Sequence, residues 1–292
     1  MKKNEKLAYK KRSQLSLVWH RLSRNKLAML GLAMMSVIVL LAVFADVIAD
    51  YNKVVVGMNM LERLQTPSLK HWFGTDGYGR DVFARIIHGS RLSLTLSIVS
   101  MSVAVAVGSL IGAISGYYGG KIDDVLMRLM DMLLAIPPML MSISIVAALG
   151  RSMVNLMLAL ALAYMPVFAR VIRSSILSVK GQEFVEAAKA CGTSDARIIM
   201  RHIVPNAVGP IIVQATLAMG SAILTISSLS FMGMGIQPPQ PEWGTMLYEG
   251  RDLIRTSPYL VVFPGLAIAV SVLSLNLLGD GLRDALDPRL KN

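Results

Sequence analysis

Six stretches of this 292-residue chain contain no Asp, Glu, Lys or Arg. Lys26 and Asp46 enclose 19 such residues, Arg91 and Lys121 enclose 29, and Asp131 and Arg151 enclose 19. Arg151 and Arg170 enclose 18, Arg201 and Glu242 enclose 40, and Arg255 and Asp280 enclose 24. A helix that crosses the hydrocarbon of a bilayer needs roughly 20 mostly apolar residues. The windows therefore predict six spans, near 27–49, 92–116, 132–150, 152–172, 207–233 and 259–279. The fifth window is too long for one helix. Its tail, Gly235-Ile236-Gln237-Pro238-Pro239-Gln240-Pro241, is loop chemistry, because three prolines remove backbone donors. A short polar turn at Gly150-Arg151-Ser152 separates the third and fourth windows and predicts a helical hairpin.

Composition agrees. Charged residues make up 16% of the chain and apolar ones 54%, where a soluble domain carries about 25% charged residues. So few charges cannot coat a globule, which excludes an ordinary soluble enzyme. The net charge of +11 is read as cationic cytoplasmic loops rather than as a nucleic-acid footprint. Nine Lys/Arg stand in residues 1–26 (Lys2, Lys3, Lys6, Lys10, Lys11, Arg12, Arg21, Arg24 and Lys26) against the single acid Glu5. This basic segment belongs in the cytoplasm, and six spans return the C-terminus there. Inside segments then hold 20 Lys/Arg and outside ones 9. The 50–91 connection fits least well, with six of them outside.

Several chemistries have no residues to carry them. One cysteine, Cys191, forms no intrachain disulfide, and His20, His71, His88 and His202 lack zinc-ligand spacing. Gly120-Lys121 is followed by Ile122, not by the Ser/Thr of a phosphate loop, so no nucleotide site is visible. The 20 methionines are dispersed and read as flexible packing, not as metal ligands. No apolar window holds an acid, whereas proton-coupled carriers keep Asp, Glu or His in the bilayer as a relay. Any pumping energy must come from another protein. Cargo would meet hydroxyls instead: Ser93, Ser97, Ser100 and Ser102 in the second span, and Ser221, Thr225, Ser227 and Ser228 in the fifth. The alternative is that these bond the carbonyls of their own helices. Gly108, Gly112 and Gly116 form a small-residue stripe suited to close helix packing. Pro137-Pro138 predicts a kink within the third span, with a hinge as the alternative.

The cytoplasmic stretch Ser178 to Pro205 stands apart. Gln182 to Cys191 is rich in helix formers. Gly192 suits a left-handed C-cap, Ser194 or Asp195 can start a second helix, and Pro205 limits it. Helix, glycine corner and helix make a bent element with a fixed elbow, and Ala187 and Ala188 admit a close surface. Spacing alone leaves an ordinary solvated loop equally open.

Glu186-Ala187-Ala188, Gly192 and Pro205 at this spacing resemble the EAA loop of binding-protein-dependent ABC transporter permeases. The resemblance implies that this loop docks into a groove of a cytoplasmic ATPase subunit through Glu183, Glu186, Ala187, Ala188, Gly192, Arg197 and Pro205. The family often has Ile where His202 stands. A second segment, His71-Trp72-Phe73-Gly74-Thr75-Asp76-Gly77-Tyr78-Gly79-Arg80-Asp81-Val82-Phe83-Ala84-Arg85, looks like the signature of peptide and nickel permeases. So do Gly116-Tyr117-Tyr118-Gly119-Gly120, Pro239-Gln240-Pro241-Glu242-Trp243-Gly244 and the run from Gly279 to Pro288. In this outer segment Gly74 and Gly77 or Gly79 allow tight turns around Asp76. Asp81 with Arg80 and Arg85 predicts an ion-pair cluster at the outer surface. Gly74, Thr75, Asp76, Gly79, Arg80, Asp81 and Arg85 then form either a self-satisfied polar cap or a contact for cargo or its carrier protein.

The resemblance implies an all-α polytopic subunit with the type I ABC importer permease fold, six transmembrane helices and both termini cytoplasmic. Residues 27–292 would be its transmembrane domain, in a bacterial plasma membrane. It would form half of a pathway for di- or oligopeptides, beside a homologous second permease. Two ATPase subunits would hold ATP and Mg, and an extracytoplasmic binding protein would deliver cargo. The chain itself would bind no cofactor, metal or nucleic acid. The same fold importing nickel or a metal chelate stays open. A secondary transporter and a membrane scaffold are rival classes, disfavoured by the missing acids and by the EAA segment respectively.

Overall fold

A computed structural model describes residues 14–286. The basic residues Lys2 to Arg12 and the terminal Asp287-Pro288 lie outside the described residues. The described chain is helical, with one isolated β-bridge, between Thr75 and Asp81.

Helix α1 (Gln14–Leu22) precedes α2 (Lys26–Val43). Asn25 starts α2 by accepting from the Leu27 and Ala28 amides at 3.1 Å each, which satisfies two of the first-turn donors that have no helical partner. The short α3 (Ala45–Ile48) leads into an irregular outer segment up to Asp81. Then come α4 (Val82–Tyr118), α5 (Gly120–Leu134), α6 (Pro138–Leu149) and α7 (Met153–Lys180). The cytoplasmic elbow is α8 (Glu183–Ala190) and α9 (Asp195–Ile198), followed by α10 (Val204–Phe231), α11 (Trp243–Gly250) and α12 (Tyr259–Leu286). By length and apolarity α2, α4, α7, α10 and α12 can each cross a membrane, and the bent pair of α5 and α6 can together make a sixth crossing.

Two expectations about the spans need correction. The second span was placed at 92–116, but α4 begins ten residues earlier and has 37 residues, about 55 Å at 1.5 Å per residue. Arg85 and Arg91 do not end it because both are neutralised. Arg91 donates to Asp46 at 2.7 Å and to the Val43 carbonyl at 2.8 Å, and Arg85 joins the outer cluster described below. The third span is not a kinked helix over 132–150. Its two halves meet at 86°. Pro138 opens α6, where a missing amide costs nothing. Two of the three acids within α5 are matched to α7, Asp123 with Arg173 and Asp131 with Arg170, at 2.5 Å each, while Asp124 is exposed.

Close backbone contacts set the helix directions. A Cβ on Gly108 would lie 2.5 Å from the Met165 carbonyl and one on Gly116 3.1 Å from the Arg173 carbonyl, while one on Gly112 would collide with the Ala169 carbonyl. Both series advance by four, so α4 and α7 run parallel with their backbones nearly touching. A chain that enters two parallel helices must cross back between them, and α5–α6 is the connection that does so. Gly31 faces Ser274, and Ala28 faces Gly281, so α2 and α12 are antiparallel.

Candidate functional site

The two ends of the molecule treat charge in opposite ways. At the cytoplasmic end, α8 stops at Gly192, whose φ is +72°. The Gly192 amide donates to the Lys189 carbonyl at 2.9 Å and the Thr193 amide to the Ala188 carbonyl at 3.1 Å. This pair of bonds is a left-handed helix cap. A Cβ on Gly192 would meet no atom within 4 Å, so the backbone angle alone favours glycine here.

The elbow has an inner and an outer face. Val185, Ile198 and Ile203, all 0% exposed, pack with Ala113, Tyr117, Ile172 and Ile176 of α4 and α7. Glu183, Glu186, Ala187, Gly192, Arg197 and Pro205 are exposed, and Ala188 is half-buried. Among the described residues, Glu183, Glu186 and Arg197 make no ion pair. Glu183 and Glu186 lie in the first turn of α8, where the helix dipole favours an acid.

Pro205 does not limit the second elbow helix. From Asp195 the chain continues through a wide turn, Ile199–Ile203, into α10. The Val204 amide reaches back five residues to the Ile199 carbonyl. Pro205 sits in the first turn of α10, where no amide is required. The elbow is therefore continuous with the fifth span.

At the extracytoplasmic end, Asp76 accepts from the amides of Tyr78 at 2.8 Å and Arg80 at 3.0 Å, from Arg80 Nε at 2.6 Å, and from Arg85 Nη1. Glu249 closes the network: Arg80 Nη2 lies 3.0 Å from its Oε1, and Arg85 Nη1 2.8 Å from its Oε2. Both guanidinium groups are 1% exposed. Two acids and two bases balance within one buried cluster. Thr75 is buried beside it, with Oγ1 accepting from the Gln65 amide at 2.9 Å and the carbonyl accepting from the Tyr259 hydroxyl at 3.1 Å.

Asp81 is not in this cluster, contrary to the sequence reading. Its carboxylate caps α4 through the Ala84 amide at 2.9 Å and meets His71 Nδ1 at 2.8 Å. A capping carboxylate must stay over the first turn of its helix, so it cannot also reach Arg80 and Arg85. Gly74 and Gly79 have φ of +77° and +75°, whereas Gly77 needs no positive φ. A side chain on Gly79 would collide with the Asn59 carbonyl. Asp76, Arg80 and Arg85 are paired with one another and with Glu249, as a polar cap requires, while Arg85 Nε and Nη2 have no hydrogen-bond partner and a small cavity lined by Asp76, Arg80, Arg85 and Glu249 keeps the contact reading open.

Two acids were given no role of their own in the sequence reading. Glu249 lies 169 residues from Arg80, and its only signal was an acid in a short outer segment. Glu242 is wholly buried. It caps α11 through the amides of Gly244 and Thr245 at 2.9 Å each and accepts from Ser93 Oγ at 3.3 Å. Burial pushes its carboxyl above the usual range, against the pull of those bonds.

Half of the proposed hydroxyl lining is covered within the chain. Ser93, Ser97, Ser100 and Ser227 are buried inside the chain. Ser97 donates to the Leu94 carbonyl at 2.9 Å and Thr225 to the Ser221 carbonyl at 2.9 Å. Of the eight, Ser102 and Ser221 are exposed, and Thr225 and Ser228 are half-buried.

Comparison with known proteins places this geometry. Residues 108–292 match the family described as binding-protein-dependent transport system inner membrane components. Residues 13–67 match the N-terminal transmembrane domain of oligopeptide transport permease C. The chain is 46% identical to the dipeptide transport system permease protein DppC of Alkalihalophilus pseudofirmus, over 93% of this chain and 89% of that protein. It is 43% identical to the glutathione transport system permease protein GsiD of Escherichia coli, over 94% of this chain and 90% of that one. Its fold resembles a chain of the MetNI methionine ABC transporter in inward-facing form, with TM-score 0.58, 14% identity, and coverage of 70% of this chain and 96% of that chain.

Proposed function

The chain belongs to the binding-protein-dependent inner membrane components and is a multi-pass permease subunit of an ABC importer; from that premise we propose that its cargo is di- and oligopeptides. The relatives named for dipeptide and for glutathione transport support this cargo, since both names denote short peptides. In this reading the chain forms half of the pathway and a homologous second permease forms the other half. Of the two ATPase subunits, which carry ATP and Mg, one docks on Glu183, Glu186, Ala187, Ala188, Gly192, Arg197 and Pro205. An external binding protein supplies the peptide and sets the selectivity. The chain contributes no cofactor and no nucleotide site.

The observation that carries the reading is the elbow's two faces. Its outer face offers free acids and small alanines, and its inner face is seated on α4 and α7. A partner that displaces the outer face therefore moves two spans. Closure of the ATPase pair around ATP would bias the permease between two packings, as a bistable element requires. Reconstitution tests this. The purified chain alone should hydrolyse no ATP. With its partners it should take up a labelled dipeptide on adding ATP and ignore an imposed proton gradient. Gradient-driven uptake by the chain alone would contradict the reading.

A further inference from the structure

The Gly116-Tyr117-Tyr118-Gly119-Gly120 motif closes α4, the longest helix, at its cytoplasmic end. Its two tyrosines differ sharply: Tyr118 is 51% exposed and Tyr117 5%. The Tyr117 hydroxyl donates to the Asp195 carboxylate. The Lys189 ammonium stands 5.3 Å and the Lys180 ammonium 5.8 Å from the centre of its ring. One side chain thus meets the end of α7, the last turn of α8 and the first residue of α9.

We propose that Tyr117 is a positioning residue that joins the elbow to α4, so that displacement of the elbow is passed into the second span and not absorbed in the loop. This rests on the reading of the elbow as the ATPase-docking element. Apolar contacts such as those of Val185 and Ile198 resist separation, but they are non-directional and let surfaces slide. A hydrogen bond to a carboxylate fixes distance and direction together. Tyr117 supplies that bond at the point where the chain turns out of α4. The glycine stripe seats α4 on α7 along three turns, so a pull at Tyr117 acts on a stiff pair. At its far end α4 carries Arg85, four residues from its capping Asp81, within the outer cluster. The helix therefore links the docking face to the cap without an intervening loop.

The test uses the complete reconstituted transporter and reads labelled dipeptide moved per ATP hydrolysed. Tyr117→Phe keeps the ring and its cation contacts and deletes only the hydroxyl. It should lower the ratio roughly ten- to a hundredfold, the scale of a hydrogen bond to a charged group, while ATPase binding stays unchanged and the melting temperature falls no further than in Asp195→Ala. Asp195→Ala should give a similar fall, and adding Tyr117→Phe to it should cost nothing more, because both remove the same bond. Tyr118→Phe, the control, should match the unmodified protein. An unchanged ratio in Tyr117→Phe, or losses that simply add in the double variant, would overturn the proposal. Failure of the unmodified transporter to couple ATP to uptake would instead overturn the function reading, and this inference with it.

Discussion

The outer cap and the cytoplasmic elbow hold comparable charged residues in contrasting ways. Asp76, Arg80, Arg85 and Glu249 are closed on one another, with both guanidinium groups buried and Glu249 partly exposed. Glu183, Glu186 and Arg197 stand in solvent on an element whose apolar side alone is seated. The buried network spends most of its hydrogen-bonding capacity internally, with Arg85 Nε and Nη2 left without a partner. An open face keeps that capacity available. The contrast suits the outer signature to holding a shape and the elbow to the docking proposed above.

The sharpest way to break this comparison is to open the cap. Arg85→Met leaves Asp76 and Glu249 facing each other in a buried site with one base between them. Removing one partner of a buried pair costs about 3–5 kcal/mol. The purified variant should melt well below the unmodified protein in a thermal scan. A melting point unchanged within error would show that the cluster is not the support it looks like.

Next in size is the seam that carries motion between the two ends. Gly112→Val places branched bulk against the Ala169 carbonyl, where even a Cβ collides. Overpacking of this kind costs about 1–3 kcal/mol. Melting and transport should both fall, whereas Gly265→Ala, in the α12 helix with open space around it and no positive φ, should spare the packing. Equal stability of Gly112→Val and the parent would mean that α4 and α7 do not touch as described.

A smaller effect is expected at the elbow's corner. Gly192→Ala meets no atom, so its cost is the left-handed backbone alone, about 1 kcal/mol. Asparagine tolerates that conformation better, so Gly192→Asn should retain more uptake than Gly192→Ala. The reverse order in a transport assay would argue against a backbone role for this glycine.

What could be read from the sequence follows the range of the forces involved. The elbow was legible because its helix formers and left-handed glycine act within a dozen residues. Five of the crossings were legible as long apolar runs. The start of α4 was not, because counting charges treats Arg85 and Arg91 as water-seeking when both have partners. The α5 half of the broken crossing was hidden for the same reason, since Asp123 and Asp131 are answered from α7. Glu249 could not be tied to Arg80 by any local rule across 169 residues. Ser93, Ser97, Ser100 and Ser227 dropped out of the lining because a hydroxyl's position on a helix does not say which neighbour covers that face.

One variant tests the division of roles most directly. Glu186→Lys reverses an exposed charge on the elbow, and surface changes of this kind usually stay within about 0.5 kcal/mol. Melting temperature and captured ATPase subunit should be measured on the same purified sample. The expected result is an unchanged melting point with loss of most of the ATPase subunit. Full ATPase capture, or a melting point that falls as far as that of Arg85→Met, would contradict the assignment of the elbow as a docking face and the cap as a support.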